Sequence, residues 1–391
     1  MVNKNPDENG IYQNRFYKIK SVAFNKVLAN TQSKNDDVFL YDDLETEDQK
    51  WLFVLLDDQT YRIINKDSGK TLAIDPPRDE NAFLFRHLPT PDQHWSIEQV
   101  SGYIKLRNVS NYKVLASKLK NGQVFVWEDL DTQDQLWELI PVETFTLPEI
   151  PNTFQKLGPS PSYSAPNDAF EKDTVKVLVG STLIPYFAVN DNSLSPSTQI
   201  KNNPYYVMEH YQDWRFLDEK TLAPGGEETL TLHTGMRQTD QETITQKSGI
   251  TIAADAGFNF PIVPAGRADG PFPTVTGDLK TTITNELDVS ESHTSERMQD
   301  ITQTQTVHNP FEMQLQYAKF AINDTYVLKR GNGTRVYEVS SIDTTSIKGA
   351  SYPQGKEPSS ESAQIINSRN AVTNPVSNLR KCKCNFNCTS R

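Results

Sequence analysis

The sequence predicts an all-β protein of two domains. Three observations carry that reading: a threefold repeat of short strands, two long runs alternating apolar and polar residues, and a proline-rich stretch between these regions. A repeat at a fixed period sets the architecture before any single residue is weighed.

The repeat is marked by the triplets Gln49-Lys50-Trp51, Gln93-His94-Trp95 and Gln135-Leu136-Trp137, about 43 residues apart. Each unit opens on an extended stretch: Phe16 to Ile19, Tyr61 to Ile64 and Tyr103 to Leu106. A Leu-Ala pair follows at Leu28-Ala29, Leu72-Ala73 and Leu115-Ala116. Next comes a short apolar strand ending in a ring: Val38 to Tyr41, Ala82 to Phe85 and Val124 to Trp127. Chance does not hold four landmarks in register three times.

On these motifs, roughly residues 10 to 143 resemble a ricin B-type β-trefoil lectin domain. The resemblance implies that the Gln and Trp are chiefly structural, with Trp51, Trp95 and Trp137 in a shared core. It also implies a shallow sugar site in each repeat. A hexose stacks its apolar face on an aromatic ring and needs charged or amide partners for its hydroxyls. The candidate carbohydrate-binding residues are therefore Tyr41 with Asp48 and Gln49, Phe85 with Asp92 and Gln93, and Trp127 with Asp134 and Gln135. The chain departs from the family in two ways. The aspartates stand where the family usually has Asn, and the family's early Asp reads Ala29, Ala73 and Ala116 here. Asn30, Asp75 and Ser117 are the neighbours left to compensate. The alternative makes the rings trefoil core and the acids solvated turns. A single sugar site is weak, about −4 kcal/mol, so useful binding draws on avidity.

The composition narrows the function classes. A net charge of −11 over 391 residues repels nucleic acid. No run of 18 apolar residues encodes a membrane-crossing helix. The opening residues, Met1 to Asp7, lack the apolar segment of a secretory signal, so release is expected by another route.

The domain boundaries follow from proline and apolar content. Residues 1–145 form the trefoil and 146–174, with Pro148, Pro151, Pro159, Pro161 and Pro166, a linker. Residues 175–340 form the second domain. Residues 341–391, rich in Ser, Thr, Asn and Lys, read as a flexible tail.

Within the second domain the period-2 signal is long. From Ile244 to Phe260 the even positions include Ile250, Ile252, Ala254 and Phe258, while the odd positions are mostly polar or small. From Val275 to Val289 the odd positions include Leu279, Ile283 and Leu287. Each run reads as an amphipathic strand, and the proline- and glycine-bearing stretch Pro261 to Pro273 as their connection. A strand spans a bilayer in roughly 9 to 11 tilted residues, so each run is long enough. One hairpin leaves unpaired edges, and several chains would have to close a barrel. The alternative is an ordinary long hairpin half-buried against a sheet.

A second resemblance bears on that choice. Leu183-Ile184-Pro185-Tyr186-Phe187-Ala188-Val189, Thr198 to Tyr206 and Tyr211-Gln212-Asp213-Trp214 are similar to the Bin-like toxin-ten (Tpp) family of insecticidal crystal proteins. The similarity covers roughly residues 145 to 340, and family members carry a trefoil in the same order. It implies an elongated aerolysin-type β-pore-forming domain with an amphipathic hairpin held against its sheet until assembly. The hairpin candidates are Ile252, Ala254, Phe258, Phe260, Phe272, Val275 and Leu279. The assignment of these side chains to lipid is our reading of the alternation. The family further implies storage as an intracellular crystal in a sporulating bacterium, release on lysis, and trimming by gut proteases. Lys4, Lys348, Lys356, Arg369 and Arg380 are the candidate cuts. The partners expected are galactose-type glycans or glycolipids on insect midgut cells, the target membrane and further copies of the chain; some family members act alone and others as half of a binary toxin, and the residues leave both open.

Other chemistries find little purchase. Cys382, Cys384 and Cys388 lack the fourth ligand a zinc site wants, and no histidine lies near them. They crosslink chains within a crystal or do nothing. No metal or other cofactor is implied. The six histidines show no triad or metal spacing, and the second domain lacks the alternating strands and helices of a barrel glycosidase. No enzyme is expected. A multivalent lectin with an oligomerising second domain is the remaining alternative.

Overall fold

Twelve short strands build the first domain, four from each repeat. The computed structural model describes residues 5–30, 36–75, 79–88, 90–151, 153–168, 174–189, 191, 193–236, 251–253, 257–259, 279, 301–360 and 364–367. Six trefoil strands form a ring: Arg15–Ser21, Trp51–Leu55, Tyr61–Asn65, Trp95–Val100, Tyr103–Asn108 and Trp137–Thr144. Each pairs antiparallel with the next, and the last returns to the first. Closure removes the free edges a sheet otherwise exposes. Three hairpins complete the repeats: Val27–Asn30 with Val38–Tyr41, Thr71–Asp75 with Asp79–Phe85, and Val114–Ser117 with Val124–Trp127. They meet one another through Asp37 and Phe83, Asn81 and Phe125, and Phe39 and Gln123.

The three tryptophans fill the middle of the ring, fully buried. Their indole N–H groups donate to the carbonyls of Leu28, Leu72 and Leu115 at 3.1, 3.0 and 2.9 Å. The constant Leu-to-Trp spacing is thus a hydrogen bond, which satisfies the one polar atom of a buried indole.

The second domain is built on two long strands. Tyr205–Leu222 has 18 residues, an extended reach of roughly 60 Å. It pairs along its length with Leu315–Lys329, while Val177–Pro185 flanks one side and Arg335–Ile342 the other. A second sheet pairs Glu227–Thr234 with Ile301–His308. Pro196–Asn202 is the one α-helix among the described residues. Ser195 starts it, its Oγ accepting from Thr198 N–H, with Pro196 in the first turn. The fold is nearly all-β.

Three expectations need correction. The supposed tail is folded well past residue 340. Lys348–Tyr352 pairs with Leu315–Lys329 beyond the end of Arg335–Ile342, with Lys348 opposite Phe320. Ser359–Ser360 and Gln364–Asn367 pair with Ile301–His308. These segments have few apolar side chains of their own, and main-chain hydrogen bonds to strands already in place fix them. The candidate cut at Lys348 therefore lies in a paired strand. Lys356 is exposed, with its ammonium 4.8 Å from the Phe311 ring centre. Brief trypsin digestion should leave the bond after Lys348 intact, as peptide mapping will show; an early cut there would mean the strand is open in solution.

Residues 146–174 hold no strand among those described, yet they are not a free linker. Leu147 and Tyr163 are buried. Tyr163 donates to Glu219 at 2.6 Å, and the Trp214 indole donates to the Gly158 carbonyl at 2.9 Å. The stretch is anchored along the long strands.

The run from Ile244 to Phe260, read as one strand, reverses inside itself. Thr251–Ala253 pairs antiparallel with Gly257–Asn259, placing Ile252 opposite Phe258 in the register. Alternation alone does not register the turn chemistry that Asp255 and Gly257 bring to this short interval.

The two domains share an apolar seam. Phe16, Leu52, Val54 and Ile64 of the trefoil pack in one cluster with Ile184, Tyr186, Phe187, Ile200, Tyr206 and Leu328. Polar bonds edge it: Tyr205 Oη donates to the Gln13 carbonyl at 3.2 Å, and Lys201 pairs with Asp67 at 2.9 Å.

Candidate saccharide site

Each hairpin ends in the ring the sequence marks. Tyr41, Phe85 and Trp127 are 47%, 40% and 43% exposed, so each is open on one side and none is a core residue. In the third repeat the Lys113 ammonium lies 5.5 Å from the Trp127 ring centre and pairs with Glu80 and Glu128.

The glutamines do not belong to this site. Gln49, Gln93 and Gln135 are buried, and both ends of each amide are spent on its own loop. Their Nε2 groups donate to the carbonyls of Asp42, Arg86 and Glu128 at 2.7, 2.7 and 2.6 Å. Their Oε1 atoms accept from the backbone N–H of Leu44, Leu88 and Leu130, each at 2.9 Å. A buried amide so occupied has nothing to offer a hydroxyl. The triplet is a loop clamp.

Asp48, Asp92 and Asp134 sit half-buried in the single 3-10 turns before the tryptophans. Their carbonyls accept from Asn65, Asn108 and Ser117. Asn30 and Ser117 are buried, so neither compensates for the missing early Asp; the Asp75 side chain lies outside the described residues.

Sequence reasoning missed two other carboxylates. Asp43 and Asp129 stand two residues after Tyr41 and Trp127. Each is gripped by a lysine from the first strand of its repeat, Lys18 at 2.5 Å and Lys105 at 2.6 Å, both lysines almost fully buried. The hydrogen bond from Lys105 holds Asp129 down to about 2, and that from Lys18 likewise lowers Asp43. Burial opposes the Lys105 charge, but its bonds to Asp129 and Asp131 keep its pKa above the ordinary value. Both acids are fixed and ionised. The signal available in the sequence was a cation, Lys18, Arg62 or Lys105, at the same place in the first strand of each repeat.

The second repeat is finished differently. Its position two after the ring is His87, fully turned inward. His87 Nε2 lies 2.9 Å from the Gly69 carbonyl and 3.1 Å from Tyr186 Oη, and its ring stacks on Phe187 at 5.0 Å. The Arg62 guanidinium lies 5.0 Å from the Phe187 ring centre. Burial, with Arg62 adding to it, pushes His87 down to about 3, so it is neutral. Gly69 has φ +68°, and a side chain there would meet the Pro196 backbone at 2.5 Å. At His87 and Gly69 this repeat packs against the second domain, while its ring Phe85 stays exposed.

Of the hairpin candidates, Ile252 and Phe258 lie in the short paired strands. Ala254, Phe260, Phe272 and Val275 lie outside the described residues, as do Lys4, Arg369 and Arg380. Leu279 is buried in the seam with Ile184 and Met208. Among the described residues no group of three or more His, Cys, Asp or Glu is placed to hold a metal. No described helix is long and apolar enough to cross a membrane, which says nothing of strands.

Residues 177–354 match the family described as insecticidal crystal toxin, P42, and residues 10–82 match the ricin-type β-trefoil lectin domain-like family. The second domain is of the toxin-ten kind, and a ricin B-type trefoil precedes it. Insecticidal crystal protein Cry35Ab1 of Bacillus thuringiensis is 25% identical over 363 residues, 90% of this chain and 91% of that protein. The crystal structure of Cry35Ab1 superposes with a TM-score of 0.76, covering 88% of this chain and 91% of that one. Binary larvicide subunit BinA of Lysinibacillus sphaericus is 30% identical over 191 residues, 49% of this chain and 48% of BinA. Subunit BinB of the same organism is 24% identical over 255 residues, 64% of this chain and 54% of BinB. The chain thus matches about half the length of each larvicide subunit.

Proposed function

We propose that this protein is an insecticidal toxin that binds galactose-type glycans on gut cells through its trefoil, is trimmed by proteases, assembles with further copies and opens a β-barrel pore. Its store would be a crystal inside the sporulating cell that makes it, freed by lysis. One observation supports the pore above all. Glu227–Thr234 and Ile301–His308 are antiparallel partners throughout, with Thr234 opposite Ile301. The chain therefore leaves this sheet and returns to it at one point, and the amphipathic runs lie between. The stem is itself two-faced: Leu230 and Leu232 are buried while Thr229, Thr231 and His233 are exposed. A hairpin rooted in such a stem can extend its ladder without breaking the sheet, and pairing between copies satisfies the backbone in lipid.

Dye release from liposomes, with and without galactose-terminated glycolipid, checks this with intact and trypsin-trimmed protein. Leakage should need both trimming and glycolipid. Binding without leakage from trimmed protein would remove the single-component pore. The likeness to BinA and BinB favours a second reading, one half of a two-component toxin, and that result would point to it.

A further inference from the structure

The three repeats share one frame, and the position two after the ring decides what each does. It is Asp43 in the first, His87 in the second and Asp129 in the third. Asp43 keeps 45% of its side chain exposed and Asp129 26%, while the lysines that hold them are buried. Asp43 is held through Oδ1 by Lys18, and Asp129 through both oxygens, Oδ1 by Lys105 and Oδ2 by Arg107 Nη2 at 2.6 Å. A carboxylate so clamped cannot swing away, and the lone pairs left over accept hydroxyl hydrogens with charge-assisted strength. It stands two residues after a half-exposed ring, the other half of what a pyranose needs. In the second repeat the same position faces Tyr186 and Phe187 instead, and no carboxylate is there to accept a hydroxyl.

We propose that the trefoil takes saccharide at two sites, Tyr41 with Asp43 and Trp127 with Asp129, and that the second repeat has exchanged its site for a lock on the second domain. The proposal rests on the glycan-binding reading above. The ligand class is a neutral pyranose. A sialylated glycan would bring a carboxylate against Asp43 or Asp129 on a chain of net charge −11. Two sites on one rigid trefoil raise avidity for clustered glycans in a way one site does not.

The test uses the full chain on a printed panel of neutral and sialylated glycans. The variants are Asp43→Asn, Asp129→Asn, their double, Phe85→Ala and Tyr41→Ala/Trp127→Ala. Neutral glycans should be retained, and sialylated ones not. The double Asp variant should lose at least about tenfold in affinity, the weight of a hydrogen bond to a charged group. Phe85→Ala should match the unmodified chain. Thermal melts accompany each protein, because Asp129→Asn loosens Lys105. Should that variant unfold, Asp43→Asn carries the test alone, since Lys18 keeps Glu45 at 3.9 Å. Loss in Tyr41→Ala/Trp127→Ala with full binding in the double Asp variant would leave glycan binding standing and overturn the carboxylates' role. A loss in Phe85→Ala equal to theirs would overturn the two-site count. No glycan retained by the unmodified chain would overturn the reading and the proposal together.

Discussion

Arg330→Met should destabilise the protein by about 3 kcal/mol at neutral pH and by less than about 1 kcal/mol near pH 2. Arg330 grips Asp191 through two bonds, Nε to Oδ2 at 2.7 Å and Nη2 to Oδ1 at 2.9 Å. Asp191 is nearly fully buried and also accepts from Tyr206 Oη at 2.9 Å and Ser193 Oγ at 2.6 Å. Removing one partner of a buried pair costs about 3–5 kcal/mol, because the other charge stays buried. Arg330 keeps 25% of its side chain in water, which sets the expectation at the lower end. Burial pushes the Asp191 carboxyl up, but its bonds from Arg330, Ser193 and Tyr206 win and hold it at about 2. A carboxyl depressed from its ordinary 3.8 to about 2 contributes about 2 kcal/mol. That contribution is present above pH 4 and vanishes as the pH falls through about 2. In the variant Asp191 protonates more readily, so the gap closes in acid. Urea unfolding at several pH values measures it. A gap unchanged with pH would assign the effect to packing rather than charge. The consequence reaches the seam, because Asp191 lies between Tyr186–Ala188 and the Pro196–Asn202 helix, both of which dock on the trefoil.

The trefoil was legible because its landmarks repeat, and a repeated spacing survives any ignorance of the partner. Leu28 to Trp51 could be read as a unit before its hydrogen bond was seen. Lys18, Arg62 and Lys105 were legible only as cations in phase with the repeat, not as buried clamps. Phe16 to Ile19 is buried at every position, so the alternation that separates inside from outside is missing, and a lysine there reads as surface. His87 was opaque for another reason: its partner Tyr186 is 99 residues away, and nothing local marks a docking face. Lys348–Tyr352 was mistaken for tail because Gly349, Ala350 and Ser351 carry little apolar signal. Its order comes from Leu315–Lys329, a strand whose edge was already half taken by Arg335–Ile342.

Ile252→Arg should abolish leakage while leaving glycan binding and folding intact. The position belongs to the apolar set of the alternating run and pairs with Phe258 in the register. An arginine on the lipid face of a barrel strand costs about 2–4 kcal/mol near the bilayer midplane, and every copy in the assembly carries that cost. Several copies together make the inserted state unreachable, so the loss of dye release should exceed about a hundredfold even though one chain loses only a few kcal/mol. Thr251→Arg is the counterpart on the polar set, where water would receive the charge; it should keep leakage and alter ion selectivity in conductance recordings. Leu279 is an equal choice by alternation, but it is the wrong one. Its side chain is 7% exposed, in the apolar cluster that joins the domains, so a charge there would unfold the seam before any membrane was met. That burial also gives the pair of variants its force. A run that stores Leu279 among Ile184, Met208 and Met236 cannot present it to lipid until the seam lets it go, whereas Ile252 belongs to the short paired strands at 251–259. If Ile252→Arg leaks like the unmodified chain, the short hairpin at 251–259 does not enter lipid, and the insertion step must be carried by other strands.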